Sequence, residues 1–328
     1  MQRCISLSLN GEGMVAPNPM VGAVLVHEGK IIGEGFHRVY GESHAEVNCV
    51  NSVEPELQEL IPHSVMYVSL EPCAHHGKTP PCADLIVARN IPEVVIGCVD
   101  SFSEVAGKGI EKLRAAGVKV TTGLLEDECR QVNRRFFTFH EQRRPYVVLK
   151  WAQSADGYIA PPDGAPVRIS GPYADRLVHQ WRSREAGIMV GTRTALNDNP
   201  RLNTRLWPGK SPVRIILDLG GKIPRDFHVH DGSVRTIFLT ANEIDRSKAL
   251  VPQVLALLHA ESVQSILVEG GANLLQQFIH SGLWDEMRVI TGQQPLGQGL
   301  RAPETGEVRL LEKLDVAGDE VAVYGRPA

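Results

Sequence analysis

Four side chains in the first quarter of the chain could do chemistry together: His44 and Glu46 in His44-Ala45-Glu46, Cys73 in Glu71-Pro72-Cys73, and Cys82 after Pro81. Two thiolates and one imidazole suit zinc and leave a fourth tetrahedral position open for water. Zinc in such a set lowers the pKa of that water toward roughly 7, so hydroxide is available at neutral pH. Glu46, two residues from the histidine, is placed to carry protons between that water and a leaving amine. The chemistry this predicts is hydrolysis of an amino group from a pyrimidine-like ring. A histidine among cysteines is often mere packing or a structural zinc site, but a structural site has no use for an uncommitted carboxylate.

These residues need elements to hold them. Val21–Val26 and Lys30–Gly35 read as a hairpin turning at Glu28-Gly29. The apolar runs 65–70 and 94–99 read as buried strands, and 44–53, 83–89 and 107–116 carry helical spacing. His44 and Glu46 then open one helix and Cys82 another, where a helix N-terminus favours the thiolate. A polar stretch, His140–Pro145, is the candidate linker. Beyond it, 146–152, 187–191, 213–218, 234–240 and 265–268 read as strands, with helices over 172–184 and 272–280. Strands alternating with helices in both halves predict two α/β domains, 1–140 and 141–328.

At 328 residues the chain has room for both, and 43% hydrophobic residues supply ordinary cores. The net charge of -4 argues against a general nucleic-acid or membrane-surface binder, since both need a basic face. Met1–Ile5 has no apolar signal core and no run is long enough to span a bilayer, so the expected location is cytoplasmic. There, six cysteines are expected as thiols or metal ligands, with Cys4, Cys49, Cys98 and Cys129 as apolar filler.

The order H-x-E…P-C is the signature of zinc-dependent nucleobase deaminases. That pattern separates its cysteines by two residues, whereas eight separate Cys73 from Cys82. The stretch Glu71–Cys82, with Ala16–Gly22, Gly35-Phe36-His37 and Ala106–Ile110, resembles the bifunctional riboflavin-biosynthesis deaminase–reductases over nearly the whole chain. Their N-terminal half is a cytidine-deaminase-like three-layer α/β/α domain. The resemblance implies one zinc ion on His44, Cys73 and Cys82, Glu46 as shuttle, and Asn18 reading the base edge, with His75 and Lys78 near a ribose phosphate. Two departures stand out. The first helix looks clipped by a few residues, and Asp100-Ser101-Phe102-Ser103 replaces a common Asp-Pro-Asn-Pro.

In the second half no G-x-G-x-x-G follows a strand, which leaves a Rossmann site unsupported. Ile266–Asn273 instead runs a strand into Gly270-Gly271 and a helix, where backbone amides can meet phosphate oxygens, although tight strand–helix turns use Gly-Gly without a ligand too. Lys150–Gly157, Gly191–Pro200 and Val268–Gly271 are similar to the dihydrofolate-reductase-like α/β domain of the same family. The resemblance implies NADPH lined by Ala152, Thr194, Asp198 and the turn Gly271, Ala272, Asn273, Leu274, Leu275, Gln276 and Gln277. It implies a substrate lined by Lys150, Arg182, Leu202, Arg205 and Glu269, with the two arginines as bidentate phosphate partners. Arg168 and Pro166 replace the family's usual cofactor-side residues, and Arg168 is a candidate partner for an NADPH phosphate. The implied activity is deamination of 2,5-diamino-6-(5-phosphoribosylamino)pyrimidin-4(3H)-one, then NADPH reduction of the ribosyl group to ribityl. The partners expected are small pyrimidine ribosyl phosphates and further copies of the chain, as dimer or tetramer. A nucleic-acid deaminase with an appended nucleotide-binding domain is the alternative; the acidic balance and the long cysteine spacing disfavour it.

Overall fold

The computed structural model describes residues 1–75, 80–101 and 106–327, in two compact units, Met1–Gln142 and Arg143–Ala328. In the first unit, α1 (Gln2–Ser8) leads to β1 (Gly22–His27) and β2 (Lys30–Phe36), then α2 (Ala45–Asn51), β3 (Val65–Leu70), α3 (Cys82–Ala88), β4 (Glu93–Cys98), α4 (Lys108–Ala115) and β5 (Lys119–Thr122). Two further helices, α5 (Glu126–Val132) and α6 (Arg134–Glu141), complete it. The hairpin turn holds Glu28 and Gly29 at φ 47° and 77°, the left-handed pair that a two-residue turn of this hand requires.

The sheet runs β2-β1-β3-β4-β5, with β1 antiparallel to both neighbours and β3, β4 and β5 parallel. Side chains alternate across it. Ala23 and Leu25 meet Cys49, Ile86 and Leu113 from α2, α3 and α4, while Val24 on the other face meets Cys4 and Leu7 of α1. Helices thus cover both faces, the three-layer arrangement expected. The four filler cysteines are buried here, and burial pushes the Cys4 thiol up to about 12 and the Cys129 thiol to about 11. The structure has no disulfide among its six cysteines.

The second unit comprises β6 (Tyr146–Gln153), β7 (Tyr158–Ala160), α7 (Pro172–Arg184), β8 (Gly187–Gly191), α8 (Thr192–Asp198), β9 (Val213–Leu217) and β10 (Thr236–Leu239). It continues with α9 (Leu250–Ala260), β11 (Ser265–Val268), α10 (Ala272–Ser281), β12 (Glu286–Thr291), β13 (Leu300–Arg301), β14 (Arg309–Val316) and β15 (Asp319–Gly325). Its main sheet is ordered β10-β9-β8-β11-β6-β12-β15-β14. Six strands are parallel, and the β14–β15 hairpin closes one edge antiparallel. Val147 and Leu149 face α9 and α10, while Val148 faces Val178 and Trp181 of α7. Among the described residues no helix is long and apolar enough to cross a membrane.

Several elements differ from expectation. The division between the units falls inside the expected linker 140–145, but that stretch is not free: His140 and Glu141 finish α6, and Arg144 is buried. Its Nη1 and Nη2 donate to the Asp285 carboxylate at 2.6 and 2.7 Å, and Val147 N donates to the same group at 2.8 Å. Polarity marked a surface segment, but a matched acid 141 residues away allows the arginine inside. Strand β10 starts two residues later than the apolar run, and α9, β12 and the terminal hairpin carried no expectation. We expect Asp285→Ala, which strands a buried guanidinium, to destabilise the second unit by about 3–5 kcal/mol in urea unfolding, with little change in the first.

Candidate functional site

His44 is the N-cap residue of α2, in extended backbone at ψ 170°, so its ring leaves the helix start while Glu46 sits in the first turn. Cys73 follows β3 and Cys82 is the first residue of α3. The three donor atoms lie within 4.8 Å of one another, with His44 Nδ1 3.6 Å from Cys73 Sγ and 3.4 Å from Cys82 Sγ. Bonds of about 2.1–2.3 Å to a tetrahedral zinc ion give donor–donor edges of about 3.5–3.8 Å. The donor set and its spacing therefore fit zinc with one position left for solvent.

The backbone locks this triangle. Cys82 N donates to Cys73 Sγ at 3.3 Å, and Ala83 N donates to Cys73 O at 3.1 Å. Hydrogen bonding from the Cys82 thiol, with His44 helping against the cost of burial, pulls Cys73 well below the usual thiol range. Glu46 is only 3% exposed; burial first, then the Cys73 charge, pushes its carboxyl up to about 7. A carboxyl of that kind can both take and give a proton near neutrality.

Two residues without an expected role hold the surroundings. His37, buried, accepts from the Asn18 amide at 3.1 Å, donates to Ser43 O at 3.1 Å, and packs edge-on to His44 with ring centres 5.2 Å apart. Asn18 is thereby tied to the histidine ligand. Glu71 accepts four backbone N–H groups, from Gly109 (2.9 Å), Gly107 (3.0 Å), Ile110 (3.2 Å) and Asp100 (3.3 Å). It fixes the segment before Cys73 against the start of α4. A Cβ on Gly109 would sit 1.9 Å from Pro72 O, so only glycine fits there. The Glu-Pro-Cys and Phe-His motifs were the available signals for both. His75 is exposed, and Lys78 lies outside the described residues.

In the second unit a cavity of about 1340 Å³ opens at the C-terminal ends of β8, β9 and β11. Ligands in open α/β sheets bind on that side. Thr194, Gly271, Ala272, Asn273, Leu274, Gln276 and Gln277 line it. A Cβ on Gly270 would lie 2.6 Å from Val190 Cα, and Gly271 holds φ 66°, so the paired glycines are sterically required. Leu275 is buried in the core below, and neither Ala152, half-buried on β6, nor Asp198, exposed at the end of α8, is among the lining residues.

Lys150, Arg182 and Glu269 form a second cluster. Arg182 Nε and Nη2 both donate to the Glu269 carboxylate at 2.7 Å, and Nη1 donates to Asn203 O at 3.2 Å. The guanidinium fork is thus occupied by Glu269, which leaves exposed Arg205 as the freer cation for a phosphate. Burial alone would raise the Glu269 carboxyl, but Arg182 and Lys150 outweigh it and hold it at about 2. Burial also lowers the Lys150 ammonium, with Glu269 opposing and Arg182 adding. Leu202 is buried at φ 50° among Ile188, Val190 and Ile216, so any contact with a substrate falls to its backbone. Arg168 pairs with Asp175 of α7 at 2.8 Å.

The family described as "Cytidine and deoxycytidylate deaminase zinc-binding region" matches residues 1–98, and "RibD C-terminal domain" matches 145–321. The chain is 39% identical to the riboflavin biosynthesis protein RibD of Bacillus amyloliquefaciens, over 92% of this chain and 86% of that one. It is 35% identical to RibD of Aquifex aeolicus (strain VF5), over 99% and 95%. The chain belongs to the RibD family. A crystal structure of a diaminohydroxyphosphoribosylaminopyrimidine deaminase/5-amino-6-(5-phosphoribosylamino)uracil reductase from Thermotoga maritima superposes with a TM-score of 0.88 at 33% identity, covering 100% of this chain and 97% of that one. RibD membership accounts for both layered units and leaves the nucleic-acid alternative unfavoured.

Two measurements probe these sites in this RibD member. Cys82→Ala or His44→Ala should lower bound zinc from about one per chain to near none, read by elemental analysis, while Glu46→Gln retains it. Glu269 has a folded pKa of about 2 against an ordinary 4.5. Its stabilisation is complete above pH 4.5 and is lost as pH falls toward 2. Urea midpoints between pH 5 and 3 should therefore fall less steeply for Glu269→Gln than for the unaltered protein.

Proposed function

We propose that the chain carries out two consecutive steps of riboflavin biosynthesis, a zinc-dependent deamination in residues 1–140 and an NADPH-dependent reduction in 141–328. The observation that carries the reading is the His44–Cys73–Cys82 donor triangle with buried Glu46 two residues on, in the first turn of the helix that His44 caps. The substrate is 2,5-diamino-6-(5-phosphoribosylamino)pyrimidin-4(3H)-one, the product of the first step is 5-amino-6-(5-phosphoribosylamino)uracil, and its ribosyl group becomes ribityl in the second. Zinc on the three donors supplies Lewis acidity that makes hydroxide available near neutral pH. Glu46 takes one proton of the attacking water and delivers it to the ring nitrogen, then takes the second from the added hydroxyl and delivers it to the departing amino nitrogen. Asn18, held by His37, presents an amide to the base edge.

In the second unit NADPH supplies the hydride that reaches C1′ of the opened ribose. The chain's own part is positioning. The Gly270-Gly271 turn and the start of α10 bring backbone N–H groups to the cofactor pyrophosphate, beside Thr194. Lys150 with Glu269 orients the ribose hydroxyls, and Arg205 meets the phosphate. Asp198 and the backbone of Ala152 and Leu275 complete the cofactor side, and Leu202 the substrate side. The enzyme works in the cytoplasm as a dimer or tetramer; six thiols without a disulfide suit that compartment.

Glu46→Gln should cut ammonia release from the diaminopyrimidine substrate by about 10²–10⁴-fold while reduction of supplied deaminated substrate persists. Asp198→Asn and Glu269→Gln should do the reverse, followed as NADPH absorbance. Normal deamination by Glu46→Gln would remove it as the shuttle.

A further inference from the structure

The segment between α8 and β9 holds two residues in left-handed backbone, Asn199 at φ 38° and Leu202 at φ 50°. Asparagine takes that conformation readily. Leucine rarely does, and keeps it only where its surroundings over-determine it. The Leu202 side chain is fixed by burial on the β8–β9 face, but the peptides on either side of it need partners of their own. Both partners are arginines. Arg182 Nη1, from α7, donates to Asn203 O at 3.2 Å, and Arg214 Nε, from β9, donates to Arg201 O at 3.0 Å. α7 packs over β6 and β11, to one side of β8, and β9 pairs with the other side. The segment is thus a strap pinned from both sides, and Leu202 cannot relax without losing one of the pins.

Arg214 does more here than its charge requires. Its side chain is 1% exposed, and a guanidinium buried so deeply must be matched. Nη1 donates to Asp231 Oδ1 at 2.7 Å and to His228 O at 2.9 Å, and Nη2 donates to Ser233 Oγ at 3.1 Å. A lysine could neutralise Asp231; only the planar fork reaches the other three acceptors as well. The same 228–233 segment holds the start of the strap, where His228 N donates to Asn199 Oδ1 at 2.8 Å. At the far end, Asn203 Oδ1 accepts from Arg205 Nη1 at 3.2 Å, so the placement of Asn203 helps to aim the Arg205 guanidinium.

We propose, on the reading of Arg205 as the phosphate partner, that Arg214 is a positioning residue of the reductase site: through the Arg201 carbonyl it holds Leu202, Asn203 and Arg205 in receiving geometry before the substrate arrives. A preformed strap leaves less to be ordered on binding. Its benefit falls on substrate affinity, not on hydride transfer or on the cofactor.

The test is steady-state reduction of 5-amino-6-(5-phosphoribosylamino)uracil by the intact protein, followed as NADPH absorbance, in Arg214→Lys, Arg205→Ala and the double variant. Arg214→Lys keeps a charge beside Asp231 and loses the fork. It should raise the substrate KM about tenfold and leave kcat, the NADPH KM and ammonia release from the diaminopyrimidine substrate within about twofold. Arg205→Ala should raise the same KM by about tenfold, and the double variant should be no worse than Arg205→Ala alone, because both losses act at one contact. Ser233→Ala, which removes one acceptor and leaves the ion pair, should give the same pattern at about threefold, alone and with Arg205→Ala, and carries the test if Arg214→Lys does not fold. The proposal is overturned if neither variant raises the substrate KM, if kcat or the NADPH KM suffers as much, or if the losses multiply in the double variant; each of these leaves the Arg205 reading standing. An unchanged substrate KM in Arg205→Ala overturns that reading and the proposal with it.

Discussion

A tetrahedral metal site tolerates little error in donor spacing, and here the donors come from three separate places: the cap of one helix, the loop after a strand and the first residue of another helix. The sheet solves the problem. β1 and β3 are paired in register and carry helices on their face, so the start of α2 and the end of β3 are fixed before any ion binds. Glu71 then ties the Cys73 segment to the start of α4 through the N–H groups of Gly107, Gly109 and Ile110 and to the end of β4 through that of Asp100, and the Cys73–Cys82 backbone contacts set the last edge. Buried Glu46 depends on the same frame, since its place two residues after His44, in the first turn, follows from where α2 begins.

The second unit uses the same principle with different chemistry. Its parallel strands end together, and the segments after β8, β9 and β11 line one cavity. The Arg182–Glu269 pair shows how charge is held inside at low cost, because both groups are matched in a two-pronged contact before a substrate arrives.

Much of this was legible in the chain. Short apolar runs bounded by glycine and proline marked β3, β8 and β11 to the residue, because buried parallel strands leave a continuous apolar signal. The metal donors were legible because their chemistry allows few residue types. Long-range polar matching was not. Nothing in the polarity of 140–145 announces that Arg144 meets Asp285, and nothing near Arg182 announces that Glu269 occupies its fork. His37 and Glu71 stayed silent for the same reason: their roles lie in which backbone groups they meet, and such partners are set by tertiary contact.

The two ends of the segment between Cys73 and Cys82 are pinned to each other, N–H to sulfur and N–H to carbonyl. A loop closed at its base pays its closure entropy there, and lengthening it adds only a slowly growing cost. The donor triangle is thus mechanically insulated from what the loop contains. A two-residue spacer and this eight-residue one can therefore hold the same three donors, so the length and content of the loop can change without disturbing the metal geometry.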